Sequence, residues 1–551
     1  MSSRAPRPGV LAASCVLILG LLQGRTALAQ GAERSGSSDS PRSPAQCSTL
    51  AGRSIGGAQI TRAQTGASPF SPQAATPGGS DAAPAGKSPA SGATVCIVVG
   101  RLHRALDFRL VLPTTWDGRL LYYGGGGWDG ILQTTRFSPQ EVLASTAVVS
   151  SNGGHTANPI DARWALHDAQ ARLDFASLSV HSVLEAARDI VREYYGAEAR
   201  HRYFEGCSNG GREALIEATR FPADFEGIIA RAPAHAWTPL FSAFVRNAQR
   251  QYGTPGGALT AQAARLVEQE ALAQCDRLDG LQDGIISRPQ ACRVSFDRLQ
   301  CKGTRAGEQC LTPEQLQTVQ VLFSEVRGAD GRVEYPGWGP GGEQEGWSEW
   351  IIGAAVPGAA PPSGPGPGAA PPMRGAQFLF AEGFVRYWLT EDPTADVLHF
   401  DPAHHAAAID LAGTLLNVQP DLAAFVGLGH KLILWHGTAD WAISYKSSVD
   451  LFERIGRALG ESRRDAAMEF YLAPGVGHCA GGAGADQVDL LTPLTRWVEQ
   501  GERPSSAVLT AGKRATTGRV LMSRPLCRYP AYPRYEGGDP SSAASFSCAR
   551  R

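Results

Sequence analysis

Short apolar runs of strand length alternate with stretches of helical spacing along much of the chain. Residues 173–194 carry apolar side chains at helical spacing, which predicts one long helix. Alternation of strands with helices indicates a mostly parallel sheet covered by helices, the α/β class. The runs that predict strands are 109–112, 120–123, 147–150, 228–230, 432–435 and 470–472.

The alternation fails between residues 236 and 400. That segment holds Asp-Gly turns, four cysteines and several tryptophans, and we interpret it as a lid domain inserted into the α/β core. The core then has two parts, 30–235 and 401–551. Two stretches rich in Ala, Gly, Pro and Ser, 66–93 and 357–372, predict long surface loops.

The amino terminus has the pattern of a secretory signal peptide, residues 1–29. Arg4 and Arg7 precede an apolar run at 10–22, and Ala27-Leu28-Ala29 offers a cleavage site. The mature protein is therefore expected to be secreted or periplasmic. With 43% hydrophobic residues and a net charge of -1, the chain can bury a core. Nothing in that charge favours a nucleic acid or membrane partner.

Ten cysteines remain once Cys15 is removed with the signal peptide. An even number in an exported chain predicts disulfides; buried free thiols are the alternative. A zinc site is not indicated, because no pair has the spacing of zinc ligands. The ten are Cys47, Cys96, Cys207, Cys275, Cys292, Cys301, Cys310, Cys479, Cys527 and Cys548.

Ser208 is the predicted nucleophile. It lies in Gly206-Cys207-Ser208-Asn209-Gly210, a G-x-S-x-G pattern with a predicted strand before it and a predicted helix, 212–219, after it. That context is typical of a nucleophile elbow, a strained turn that exposes the serine hydroxyl. In a chain so rich in glycine, an accidental match is the alternative.

The predicted acid and base follow later strands. Asp440 lies just beyond the strand 432–435, and His478 lies in the loop after 470–472, so both fit the order Ser, Asp, His. His478 would accept the serine proton and Asp440 would orient the imidazole. His436 competes for the role of base, but its position directly after a strand favours a structural role.

An oxyanion hole needs two donors. The backbone N–H of Asn209 is the first, and the glycine run 124–127, after the strand 120–123, supplies the second. We assign the second donor to Gly127, although the sequence does not distinguish among the four glycines. A phosphate loop is not indicated, because the Lys-Ser/Thr pair is missing.

Cys207 directly precedes the predicted nucleophile, and Cys479 directly follows the predicted base. If Ser208 and His478 meet, these cysteines must also lie close together. A disulfide between them would fix the distance between the serine and the histidine.

The sequence resembles the tannase/feruloyl esterase family of α/β hydrolases, on Cys207-Ser208, Asp440 and His478-Cys479. The segments 206–211, 124–130, 436–440 and 477–482 fit as well, and 386–388 resembles the family's return from lid to core. The resemblance spans roughly residues 47–548. It implies an α/β-hydrolase core with a large lid, and the pairs Cys301–Cys310, Cys47–Cys96 and Cys527–Cys548.

A turn-rich segment of the lid carries three close carboxylates, those of Asp276, Asp279 and Asp283. From the residues alone, Asp-Gly turns facing water are the simpler interpretation. The resemblance implies instead a structural calcium ion held by these side chains and by the carbonyls of Leu281 and Ile285. Cys275 and Cys292 flank the segment and are expected to pair.

The implied function is two-step hydrolysis of a small-molecule ester of an aromatic acid, such as a feruloyl or galloyl ester. Trp347, Trp350 and Phe384 could line the aromatic pocket or simply build the core of the lid. One branch of the family hydrolyses mono(2-hydroxyethyl) terephthalate and uses a lid arginine for the free carboxylate.

At that lid position this chain has Leu379, with Arg374 upstream, which makes the terephthalate alternative less favoured without excluding it. A tannase is equally open. An alternative of another class is a non-catalytic, calcium-stabilised binding protein on a hydrolase fold. The sequence does not indicate the oligomeric state.

Overall fold

The computed structural model describes residues 46–69, 71–72, 94–302, 309–328, 330–353, 374–506, 509–514 and 519–550. The predicted signal peptide 1–29 and the predicted loop 357–372 lie outside these residues, as does 73–93 of the predicted loop 66–93. The start of that loop prediction is wrong, because Gly66 and Ala67 end a strand and pair with Val95 and Thr94.

The predicted strands are all present. In chain order, the strands of the described residues are β1 Ser54–Ile55, β2 Ala58–Ala67, β3 Ser71–Pro72, β4 Thr94–Arg101, β5 Asp107–Pro113, β6 Arg119–Tyr123, β7 Thr135–Arg136, β8 Ala147–Ser151, β9 His201–Cys207, β10 Gly227–Arg231, β11 Val326–Arg327, β12 Val333–Tyr335, β13 Lys431–Gly437, β14 Met468–Ala473, β15 Leu509–Arg514, β16 Val520–Leu526, β17 Tyr532–Tyr535 and β18 Phe546–Ala549.

Ten of these strands, counted over the described residues, form one sheet in the order β1-β2-β4-β5-β8-β6-β9-β10-β13-β14. The pairings from β8 to β14 are parallel, whereas those from β1 to β8 are antiparallel. The sheet is therefore parallel where it carries the predicted catalytic residues. Because parallel strands end at one edge, the loops after β9, β13 and β14 lie together.

The predicted helix 173–194 begins earlier than expected and contains a π-helical turn, Asp174–Leu178. In chain order, the α-helices of the described residues are α1 Gln140–Leu143, α2 Ala169–Leu173, α3 Ser179–Tyr195, α4 Asn209–Arg220, α5 Trp237–Ala248, α6 Ala261–Cys275, α7 Pro313–Phe323, α8 Glu343–Trp347, α9 Ala376–Phe384, α10 Ala406–Leu416, α11 Ala423–Gly427, α12 Tyr445–Leu459, α13 Glu461–Ala467 and α14 Leu491–Gln500.

Both faces of the sheet are covered. Along β13, Leu432 and Leu434 point into the apolar core formed with α3, α4 and α12, whereas Ile433 and Trp435 point into the core formed with α14. Successive side chains of a strand alternate between faces, so an uninterrupted apolar run indicates burial on both sides. The predicted α/β-hydrolase architecture is confirmed.

A third apolar core draws mostly on the predicted lid. The described part of 236–400 contributes no strand to the ten-stranded sheet; it forms helices and the small pair β11–β12. Trp128, directly after the glycine run, is buried within this core. The described residues within 43–551 form one compact unit. Every helix in the described part of the chain is too short or too polar to span a bilayer.

Candidate active site

Ser208 occupies the tight turn between β9 and α4, as the elbow pattern predicts. Its φ is 63°, a left-handed conformation that is unfavourable for a residue with a Cβ. Gly206 is needed here, because a Cβ at that position would lie 2.6 Å from the carbonyl carbon of Gly210. Strain of this kind persists only where the surrounding structure enforces it. Ser208 is partly exposed, at the carboxyl edge of the sheet.

Asp440 and His478 lie in the loops after β13 and β14, and their side chains are joined. His478 Nδ1 is 2.8 Å from Asp440 Oδ2, while the amides of Ala442 and Ile443 donate to Oδ1. Burial alone would raise the pKa of Asp440, but the neighbouring histidines lower it well below its usual range. Burial lowers the pKa of His478, and Asp440 outweighs it, so the net shift is upward.

His436, the competing base, lies fully buried behind Asp440. Its Nε2 is 3.2 Å from Asp440 Oδ2 and 3.0 Å from the carbonyl of Ile443, and its Nδ1 is 2.7 Å from Ser448 Oγ. Both ring nitrogens therefore have partners, which fits the structural role. The sequence did not reveal that two histidines contact one oxygen of Asp440.

A disulfide joins Cys207 to Cys479, residues 272 apart in sequence, with their Cα atoms 6.0 Å apart. It brings the residue before Ser208 and the residue after His478 together, so the two predicted catalytic loops are covalently linked. The other four predicted bonds are also present: Cys47–Cys96, Cys275–Cys292, Cys301–Cys310 and Cys527–Cys548.

The glycine run lies against the elbow, where an oxyanion hole requires it. Gly210 N–H donates to the carbonyl of Gly125 at 3.1 Å. The amides of Gly124 and Gly125 are engaged by Glu205 and Glu213, whereas those of Gly126 and Gly127 make no hydrogen bond within the described residues. The choice of Gly127 as donor, with Asn209 as the other, stays a prediction; the contacts narrow the alternatives to Gly126.

Of the three aromatic residues proposed for the pocket, Trp350 alone contacts the predicted base. Its ring centroid lies 5.2 Å from that of His478 and 6.2 Å from that of Phe380. Trp347 and Phe384 are buried in the lid core, at 0% and 2% exposure, against Trp441 and Phe241. They are core residues because their rings fill the space between helices.

Glu349, next to Trp350, is a residue that the sequence analysis missed. Burial raises its pKa to about 7, and the positive charge of His478 opposes that rise. An acidic residue in a short helix usually faces water, so no sequence signal distinguished it.

The two residues considered for carboxylate recognition pack against side chains of the lid. The guanidinium of Arg374 stacks on Phe378, 4.1 Å from the ring centroid, and lies 5.3 Å from that of Tyr252. Leu379 is an apolar side chain that packs against the lid core. The positive charge of Arg374 is thus engaged by aromatic rings.

The predicted calcium loop is held largely by its own hydrogen bonds. Asp276 accepts from the amides of Asp283 and Gly284, and Asp283 Oδ2 pairs with Arg524 at 2.7 Å. Over the described ranges, no group of three His, Cys, Asp or Glu side chains is spaced to hold a metal. Asp279 Oδ2, however, is buried without a hydrogen-bond partner. That orphaned oxygen, in an all-oxygen donor set, fits a hard cation such as Ca²⁺.

Comparisons with known proteins place the chain within one family. A family model described as "Tannase and feruloyl esterase" matches residues 91–549. The mono(2-hydroxyethyl) terephthalate hydrolase of Piscinibacter sakaiensis is 31% identical over 541 residues, covering 85% of this chain and 87% of that protein. A probable feruloyl esterase of Arthroderma benhamiae is 32% identical over 460 residues, covering 80% and 82%.

Solved structures show the same fold. An esterase from Aspergillus oryzae superposes with a TM-score of 0.77 at 24% identity, covering 91% of this chain and 99% of that one. Feruloyl esterase B from Aspergillus oryzae gives a TM-score of 0.75 at 24% identity, covering 90% and 97%.

Proposed function

The chain belongs to the tannase and feruloyl esterase family, and we propose that it hydrolyses esters of aromatic acids with Ser208 as nucleophile. One observation carries the proposal: a strained serine at an elbow is linked through Cys207–Cys479 to the histidine that pairs with a buried aspartate. A binding protein on the same fold would not need a strained serine held beside a histidine–aspartate pair.

The reaction proceeds in two acyl transfers. Ser208 Oγ attacks the ester carbonyl while His478 takes the hydroxyl proton, and the C–O bond to the alcohol breaks as His478 returns that proton to the leaving oxygen. Water then attacks the acyl-enzyme in the same way and releases the acid. Asp440 accepts from Nδ1 and leaves Nε2 of His478 to carry the proton. The N–H groups of Asn209 and Gly127 or Gly126 stabilise the oxyanion.

The acyl group that the site accepts is aromatic and without a negative charge. Trp350 lies against His478 and stacks on Phe380, and Glu349 adds a carboxyl group near His478. The acyl group of a phenolic ester, such as a feruloyl or galloyl group, carries an aromatic ring and hydroxyl groups. It therefore matches a site made of aromatic rings beside a carboxyl group.

The terephthalate monoester is the second candidate, since a relative carries that name. The engaged position of Arg374 and the nearby Glu349 argue against it.

The test of function uses wild-type protein and Ser208→Ala. Wild-type protein is expected to react with a fluorophosphonate at Ser208 and to hydrolyse methyl ferulate or methyl gallate faster than a short aliphatic ester. Ser208→Ala should lose both activities. No labelling of folded wild-type protein would refute the enzyme, and retained turnover in the variant would refute the nucleophile.

We also propose that the lid loop binds a structural Ca²⁺ and that the protein is exported. The orphaned Asp279 Oδ2 supports the ion, and five disulfides together with the 1–29 pattern support export. At 100 times its Kd, an ion that binds only the folded state adds about 2.7 kcal/mol to the free energy of unfolding.

The calcium proposal is tested by thermal melting of the purified protein. Chelation should lower the Tm of wild-type protein and of Asp297→Asn, an exposed aspartate of the lid outside the loop. Asp279→Asn should lose that response. A Tm that is insensitive to calcium in wild-type protein would refute the ion site.

A further inference from the structure

Two buried carboxyl groups meet beneath the predicted oxyanion hole. Asp129, at the end of the glycine run, is 2% exposed, and Glu213, on α4, is 5% exposed. The side-chain amide of Asn209 donates to both, at 3.0 Å to Asp129 Oδ1 and 3.4 Å to Glu213 Oε1. Two acidic side chains from different segments therefore converge on one nitrogen.

The same two side chains connect the glycine run to the elbow. Gly125 N–H donates to Glu213 Oε2 at 2.9 Å, and the carbonyl of Gly125 accepts from Gly210. A Cβ on Gly125 would lie 2.2 Å from Asp129 Oδ1, so the run packs directly against the carboxyl group. The segment with Gly126 and Gly127 is thus tied to the segment with Asn209.

The pair has too little positive charge around it to remain doubly ionised. Arg212 is the buried cation, but its donors go to Asn209 Oδ1 and to the carbonyls of Phe175 and Ala176 in the π-helical turn. The other titratable groups facing the pair are Tyr122 and Glu217, and neither supplies a positive charge. Two carboxylates this close in a buried site cannot both ionise cheaply.

We propose that Asp129 and Glu213 share one proton and act as a positioning pair that holds the two halves of the oxyanion hole in register. Asp129 carries the proton and Glu213 accepts it, while Glu213 also fixes Gly125. Burial raises the pKa of both groups. Glu213 raises the pKa of Asp129 further, whereas the hydrogen bond with Asp129 lowers that of Glu213. Loss of the proton at alkaline pH leaves two adjacent negative charges, which push the glycine run from α4.

The inference rests on the proposed esterase function and is tested with Asp129→Asn and Asp129→Ala. The asparagine can donate to Glu213 as the protonated aspartate does, but it has no proton to lose. The alanine removes the link entirely. Glu185→Gln is the matched control: it makes the same carboxyl-to-amide change on α3, at an exposed residue that pairs with Arg188 and does not face the pair.

The readouts are kcat and KM for methyl ferulate between pH 6 and 10, with Tm measured in parallel. Asp129→Ala should lower kcat about 10- to 100-fold with KM nearly unchanged, because a displaced oxyanion donor weakens binding of the transition state only. Asp129→Asn should keep most of the neutral-pH kcat and retain it at alkaline pH, where wild-type kcat falls. Glu185→Gln should follow the wild-type profile.

Two results would overturn the inference: wild-type kcat in folded Asp129→Ala, or the wild-type alkaline limb in Asp129→Asn. If Asp129→Ala does not fold, the pH profile of Asp129→Asn still decides. An inactive wild-type protein would refute the proposed function, whereas active protein with insensitive variants would refute only the positioning pair.

Discussion

Removal of the Cys207–Cys479 bond should impair catalysis more than stability alone explains. Ser208 and Cys479 are both non-glycine residues in left-handed conformations, with φ of 63° and 66°. The disulfide therefore joins Cys479, which is strained and lies beside the base, to the residue directly before the strained Ser208. In Cys207→Ser/Cys479→Ser, both turns are free to relax and the Ser208–His478 geometry is no longer fixed.

The magnitude follows from the length of the closed loop. A sequence separation of 272 residues gives about 5 to 6 kcal/mol of loop-closure entropy in the unfolded state. Two strained residues each store roughly 1 to 3 kcal/mol, so their relaxation in the variant offsets part of the decrease in the free energy of unfolding. A displacement of about 1 Å at the reacting groups lowers the rate about 100-fold. We therefore expect both a lower Tm and a kcat reduced by about two orders of magnitude at temperatures where the variant is folded.

The control is Cys301→Ser/Cys310→Ser, whose bond closes nine residues in the lid. It should cost about 2.5 kcal/mol by the same relation and leave kcat close to that of wild-type protein. Urea unfolding gives the free energies, and turnover of methyl ferulate with fluorophosphonate labelling gives the catalytic effect. If the 207/479 double variant is less stable but keeps wild-type kcat, the bond is only structural and the reasoning about geometry is refuted.

Two further substitutions examine the acid and the charge near the base. Asp440→Asn should lower kcat about 10⁴-fold in an ester assay, because His478 loses the acceptor that sets its tautomer; a loss below tenfold would mean that another group orients the base. Glu349→Gln should move the acid limb of kcat/KM to lower pH. Burial lowers the pKa of His478, while Asp440 and then Glu349 raise it, so removing one carboxylate lets the imidazole lose its proton earlier. An unmoved limb would show that Glu349 does not act on His478.

The elements that the sequence predicted best are those buried on both faces. The apolar runs at 228–230 and 432–435 lie within β10 and β13, because central parallel strands must be apolar on both sides. The antiparallel first half of the sheet was not foreseen, since alternation with helices is absent there. Gly66 and Ala67 were assigned to a loop because composition does not show which residues pair with Thr94 and Val95.

At the site, local motifs predicted the residues that follow strands. The positions of the lid side chains and of the buried acidic pair depend on long-range contacts. The G-x-S-x-G pattern located the elbow, and adjacent cysteines located the disulfide. Burial of Trp347 but not Trp350 depends on how the lid helices pack, which no local pattern encodes. Asp129 and Glu213 each look like ordinary surface acids in sequence, and only the fold brings them to one amide nitrogen.

The charges of the lid predict which acyl groups the site rejects. Glu349 lies near enough to His478 to affect its protonation, while Arg374 is held on Phe378 and Tyr252. A carboxylate on the acyl ring would meet a like charge, which costs about 2 kcal/mol at a separation of roughly 8 Å near a protein surface. That corresponds to about a 30-fold lower kcat/KM for monomethyl terephthalate than for methyl 4-hydroxybenzoate. Above pH 7, where Glu349 is ionised, Glu349→Gln should narrow this ratio; at pH 5 the two proteins should differ less, since Glu349 is then protonated. Equal turnover of both esters by wild-type protein would refute an acyl site that excludes negative charge, and would remove the argument against the terephthalate monoester as substrate.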